Sequence, residues 1–224
     1  MHRTCHPLAR LTLVVGLALV PCAASSCQSA YFAAMEKFGY AKREILVDRV
    51  EDAREEQAQA QKQFVSTYER FKQVTGIQGG KLEKTYQSLS SAYEDCSDRA
   101  QAVRERITAV EEVAQAMFRE WKSEIGEYSD PTLKRQSQET FDATRRRYDD
   151  LLRSMLKASA SMDPVLTAFR DRVLFLKHNL NAQAIRSLSE TAVALEGDVS
   201  KLIADMQASI AEADEFLGAM KPAG

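Results

Sequence analysis

Glycine and proline are scarce in this chain, 9 and 5 of 224 residues. That is too few turn formers for an all-β protein of this length. Histidine is rarer still: of the 3 present, His2 and His6 lie in an N-terminal leader, so only His178 remains for the body of the protein. A histidine pair for zinc, or a helical His-x-x-x-His, cannot be built from it. Cysteine is equally thin, with 4 residues, of which Cys5 and Cys22 fall in the leader. Cys27 and Cys96 are left, which excludes a disulfide framework. Charge is balanced, 30 basic against 32 acidic residues, and both Arg3 and Arg10 belong to the leader. That balance excludes the basic footprint of a nucleic-acid binder. There is no glycine-rich phosphate loop, no serine elbow and no zinc-ligand spacing.

What is present begins with residues 1–26. Arg3 and Arg10 make a positive segment, and Leu11–Val20 (LTLVVGLALV) is an apolar stretch half as long as a membrane span requires. Small residues follow, the order of a secretory signal. Ala24, Ser25, Ser26 and Cys27 then match a bacterial lipobox, with alanine where leucine is usual. The expectation is cleavage before Cys27 and lipidation of its sulfur, with several acyl chains anchoring the protein stably where one would not. Gln28 follows, rather than the Asp that signals inner-membrane retention. The expected location is therefore the periplasmic face of the outer membrane.

The rest of the chain, 27–224, reads as one all-α domain. Apolar residues recur at alternating steps of three and four, the sign of helices packed along a seam. One stripe runs Leu46, Val50, Ala53, Gln57, Ala60, Phe64, Thr67, Phe71, Val74. A second runs Leu82, Tyr86, Leu89, Tyr93, Cys96, Ala100, Val103, Ile107, Val110, Ala114, Met117, Trp121. Between them "TGIQGG" (75–80) concentrates three glycines, a hairpin signal. "GEYSDPT" (126–132) gives the next turn, with Asp130 as N-cap and Pro131 at the first helical position. These stripes predict helices over about 29–74 and 81–126.

Pro164 complicates the third helix, because proline removes a backbone donor and crowds the preceding turn. The apolar phase passes through it, however: Tyr148, Leu152, Met155, Ser159, Met162, Leu166, Phe169, Val173, Leu176 and Leu180 keep the alternation. This favours a helix over about 131–179, kinked at Pro164, that ends at Asn179, with Asn181 capping a fourth helix over 182–218. Leu180 and Ile185 are spaced as a hydrophobic staple. A turn at Pro164 is the alternative. The expected fold is an elongated antiparallel four-helix bundle, or long helical hairpins with coiled-coil-like packing.

Few residues stand out for chemistry. Cys96 lies in the strongest apolar stripe, a setting for a small buried hydrophobe and not for a thiolate. Arg145, Arg146 and Arg147 form a basic run, with Asp149 and Asp150 placed to pair with the first two at i, i+4. Arg147 has no such partner, so the three arginines, together with His178, are the candidate interaction surface. Aromatics in "SAYFAAMEKFGY" (29–40) suit either a membrane interface or the closed end of the bundle.

"CQSAYFAAMEKFGYAKREILVDRVEDAR" (27–54) and "FRDRVLFLKHNLNAQAI" (169–185) resemble an uncharacterised bacterial lipoprotein family, the domain of unknown function numbered 2959. The resemblance spans the chain after the leader. It implies a Gram-negative, helical envelope lipoprotein lipidated at Cys27, and implies no catalytic or binding residues.

The functional expectation is a non-enzymatic structural or protein-interaction module of the cell envelope, without cofactor or metal. Its partners would be the membrane, through the anchor, and an envelope protein, with self-association left open and nucleic acid excluded. The alternative is a carrier or sensor that binds a small ligand between the helices, for which a cavity around Tyr86, Tyr93, Cys96 and Trp121 would be the mark.

Overall fold

The structure, a computed structural model, describes residues 41–73, 82–179, 181 and 195–220. The expected leader, Cys27, and the expected first helix before Ala41, glycine turn, Leu180/Ile185 staple and 182–194 part of the fourth helix lie outside the described residues. Four helices are described: α1 (Lys42–Gln73), α2 (Leu82–Glu127), α3 (Pro131–His178) and α4 (Glu196–Met220). No strand occurs among the described residues. Each helix packs on two others, α1 on α2, α2 on α3, α3 on α4 and α4 on α1, so the four close into a ring. This is an all-α helical bundle.

The cross-links between helices fix their directions. Lys42 of α1 meets Glu120 of α2 at 3.0 Å, Arg106 meets Asp52 at 3.2 Å and Arg99 meets Glu56 at 2.9 Å. The α1 numbers rise as the α2 numbers fall, so the pair is antiparallel. Arg104 of α2 pairs with Asp163 of α3 at 2.6 Å, and Trp121 Nε1 donates to Ser137 Oγ at 3.0 Å, again in opposite order. Gln61 donates to the Ile203 carbonyl at 3.3 Å while Arg54 pairs with Asp214, which makes α1 and α4 antiparallel too. The topology is up-down-up-down.

Burial follows the predicted stripe on α1 step by step: Leu46, Val50, Ala53, Gln57, Ala60, Phe64, Thr67 and Phe71 are all buried. On α2 the stripe from Leu89 to Met117 is buried, but Tyr86, Tyr93 and Trp121 are only half-buried. A second line, Val113, Ala116, Phe118 and Ile125, is buried as well, because α2 touches two neighbours. On α3 the register differs from the expected one. Leu151, Ala158 and Val165 are buried, whereas Leu152, Ser159 and Leu166 are half-buried. In the bundle axis Phe169 of α3 stacks on Phe71 (centroids 4.9 Å apart) and on Phe64 (6.3 Å), joining diagonal helices through their side chains.

The helix ends have local causes. Asp130 accepts from the Thr132 and Leu133 amides at 2.7 and 3.3 Å, and Pro131 occupies the first helical position. α2 continues through Gly126 to Glu127. α3 runs without a break through Pro164 and stops at His178. There the Asn179 amide donates to Leu176 O at 3.1 Å, and its side-chain nitrogen to Phe175 O at 2.9 Å. Pro164 is tolerated because it is on the solvent side. The carbonyl it leaves without a helical donor belongs to Ala160, which is also exposed and open to water.

Candidate functional site

The basic run on α3 divides into three different environments. Arg145 is held: its Nε contacts Asp149 Oδ1 at 3.0 Å, and its guanidinium lies over the rings of Phe118 (5.0 Å) and Tyr148 (5.7 Å). Arg146 is exposed, and the expected pair with Asp150 is replaced by one between Asp150 and Arg153. An i, i+3 partner on the far side of Asp150 takes the carboxylate instead. Arg147 turns to the flank of a cavity. His178 is exposed in the last turn of α3, about 48 Å along the helix axis from the arginines. The structure therefore does not bring His178 and the arginines together.

The cavity has a volume of about 680 Å³ and lies where α1 begins, α4 ends and the α2–α3 hairpin continues. Met117, Trp121, Ala143 and Met220 are its apolar wall; Lys42, Arg43, Glu120 and Arg147 are charged groups around it. Most of those charges are engaged. Lys42 binds Glu120, Arg43 donates to the Met220 carbonyl at the C-terminal end of α4, and Glu139, also in the lining, is 3.9 Å from Arg135. Trp121 is fixed from behind by its bond to Ser137 and by an edge-on contact with Phe141 at 5.5 Å. Of the residues expected around a ligand cavity, Trp121 alone lines this one; Tyr86, Tyr93 and Cys96 do not.

Cys96 is fully buried in packed surroundings. Its S–H donates to Thr67 Oγ1 at 3.1 Å, and the Thr67 hydroxyl donates to the Ala92 carbonyl at 3.2 Å. Burial pushes its thiol up to about 11, with the hydrogen bond between Cys96 and Thr67 acting in the opposite direction. The thiolate form is suppressed, and Cys96 belongs to the core.

One charged cluster was not legible as such. Asp205 of α4 is buried and accepts from Ser161 Oγ, from Lys157 Nζ at 2.8 Å and from Lys201 Nζ at 2.8 Å. Lys201 also reaches Ser161 Oγ at 3.1 Å. Burial alone would raise the carboxyl, but the hydrogen bonds from Lys157, Lys201 and Ser161 outweigh it and hold Asp205 well below the usual carboxylate range. A serine beside a lysine invites comparison with a nucleophile and its base. Here Lys201 is tied to Asp205, and the Ser161 hydroxyl donates to that carboxylate, so neither is poised for proton abstraction. The cluster clamps α3 to α4. The signals for it were Lys201 four residues before Asp205, and Lys157 four before Ser161.

Two other buried polar groups lie nearly level on facing helices. Gln57 of α1 and Ser209 of α4 are both 0% exposed, and neither side chain has a hydrogen-bond partner among the described residues. Among the described residues there is no cluster of three or more His, Cys, Asp or Glu side chains able to hold a metal ion. No described helix is long and apolar enough to cross a membrane.

Fold and site together define a class: an all-α helical bundle with a buried Asp205 cluster joining two helices and an amphipathic cavity at one end. The chain belongs to the family described as Protein of unknown function (DUF2959), whose model matches residues 31–220. It matches no curated protein and no solved structure.

Proposed function

We propose that the protein is a lipid-anchored helical module of a Gram-negative cell envelope, held at the periplasmic face of the outer membrane through Cys27. It acts by presenting helical surface to other envelope proteins and not by catalysis. The observation that carries this reading is the run from Leu11 to Cys27, an apolar segment too short to span a bilayer followed by Ala24-Ser25-Ser26-Cys27. The chemistry of the bundle supports it: the buried thiol of Cys96 and the buried carboxyl of Asp205 are both committed to holding helices together. Long helices with exposed charged faces suit side-by-side contact with a partner. The test has two arms. Radiolabelled palmitate is incorporated into the wild-type protein and lost in Cys27→Ser; label retained in Cys27→Ser removes the anchor. Cross-linking in intact cells captures a discrete envelope protein; capture of none across several growth conditions removes the interaction role.

A further inference from the structure

We infer that the cavity at the α1/α4 end of the bundle binds an anionic amphiphile, a single acyl chain carrying a carboxylate or phosphate head. Arg147 and Thr144 receive the head, and Met117, Trp121, Ala143 and Met220 enclose the chain. This develops the carrier reading and stands apart from the scaffold role, which survives or fails on Cys27 and on partner capture.

Size is the first argument. A volume of about 680 Å³ falls inside the roughly 300–1,000 Å³ of pockets that take small organic ligands, and far exceeds the roughly 30 Å³ of one water. The second is the wall. Two methionines, a tryptophan and Ala41, Ala143 and Ala219 line it, and methionine side chains re-pack readily around a flexible chain. Filling such a surface with water is unfavourable, whereas methylene groups gain roughly 0.8 kcal/mol each on entering it.

The third argument is charge. Every acid around the cavity except Glu124 is answered by a base: Glu120 by Lys42 and Glu139 by Arg135. Arg43 is spent on the end of α4. Arg147 lines the cavity and makes no ion pair among the described residues. Thr144 stands three residues before it, on the same helix face, and lines the cavity as well. A guanidinium and a hydroxyl side by side suit the oxygens of a carboxylate or a phosphate. Glu124 does not compete, because the Trp121–Ser137 bond sets the α2–α3 register and places Glu124 on the order of 20 Å along the bundle from Arg147.

The chain has a single tryptophan, and it is in this wall, so intrinsic fluorescence reads the site directly. The mature chain from residue 27, with Cys27→Ser to keep it free of attached lipid, is titrated with dodecanoate, dodecyl phosphate, dodecanol and dodecyltrimethylammonium below their micelle concentrations. The expected result is a saturable shift of Trp121 emission with both anions, at affinity tenfold or more above dodecanol, and none with the cation. A preference for the phosphate points to a phospholipid-derived ligand, and for the carboxylate to a free fatty acid; either supports the site. Arg147→Ala, at an exposed position that leaves helicity intact, should weaken the anions about tenfold and leave dodecanol unchanged, and Arg147→Lys should restore most of the loss. Ala143→Phe, which narrows the cavity, should weaken all acyl ligands. Equal affinity for dodecanol and dodecanoate, an unaltered Arg147→Ala, or no saturable shift with any ligand overturns the proposal.

Discussion

At the scale of single residues the most informative group is Asp205. A buried carboxylate is unfavourable unless its oxygens are satisfied, and here two lysines and a serine from two helices do so. The lysines are about two-thirds exposed and return to water easily when the acid is lost. Asp205→Ala is therefore expected to cost about 1–3 kcal/mol, the range for removing a charge-assisted cluster with solvated partners. The pH dependence has a definite sign. The folded carboxyl lies below its unfolded value of about 3.9, so the contribution is complete above that pH and is lost as pH falls below it. Denaturant titrations at pH 7 and pH 3 test this: the gap between wild type and Asp205→Asn should be wider at pH 7 than at pH 3, and should go on closing as pH falls further. A gap independent of pH would show that Asp205 acts by shape alone. None of this was readable from the apolar line of α4 (Val199, Leu202, Met206, Ala213 and Leu217), where Asp205 sits one place before Met206. Periodicity marks which face is inward, and it does not mark which acid at the edge of that face will find a lysine and a serine on another helix.

At the scale of elements, α3 separates what a pattern can decide from what it cannot. Continuity through Pro164 was decidable, since the apolar phase persists across it and a loop would have reset that phase. Which of two adjacent lines faces inward was not. Leu151 stands next to Leu152, Ala158 next to Ser159 and Val165 next to Leu166, so both lines keep the same three-four rhythm. Packing between α2 and α4 chose the first, with Leu151, Ala158 and Val165 buried. α1 offers no such doubling along most of its stripe, and there burial and pattern coincide. The arginine run fails for a related reason: spacing allowed Arg146 to reach Asp150, but Arg153 was an equal competitor on the other side. Pro164 itself can be tested. Proline inside a helix costs roughly 3 kcal/mol relative to alanine, less where the orphaned carbonyl meets water. Pro164→Ala returns an N–H to the Ala160 carbonyl on an exposed face and is expected to stabilise the protein by about 1–2 kcal/mol in chemical denaturation. A loss of stability would mean that the proline ring itself is what seats α3 against its neighbours.

At the scale of the whole bundle, composition and periodicity were enough for the all-α class, while the path of α4 had to come from tertiary packing. Its apolar line would serve equally well in a hairpin with α3 alone. What commits it is contact on its other flank, where Gln61 reaches the Ile203 carbonyl and Arg54 meets Asp214. Those two contacts also bring Gln57 nearly level with Ser209, two fully buried polar side chains with no hydrogen-bond partner among the described residues. The cavity is likewise a property of assembly: Lys42, Trp121, Arg147 and Met220 come from four helices and are scattered through the chain. Closure of the ring is accessible to experiment. Cysteines at Arg54→Cys and Asp214→Cys, in a Cys27→Ser and Cys96→Ser background, should be joined within one chain by a short bismaleimide at high dilution, because their native side chains are in ion-pair contact. The same reagent should leave a pair placed at Arg54 and Leu156 unjoined, since α1 and α3 are diagonal and Leu156 faces solvent. Intramolecular joining of the second pair and not the first would replace the ring by an open hairpin, and would take the cavity, which needs all four helices, with it.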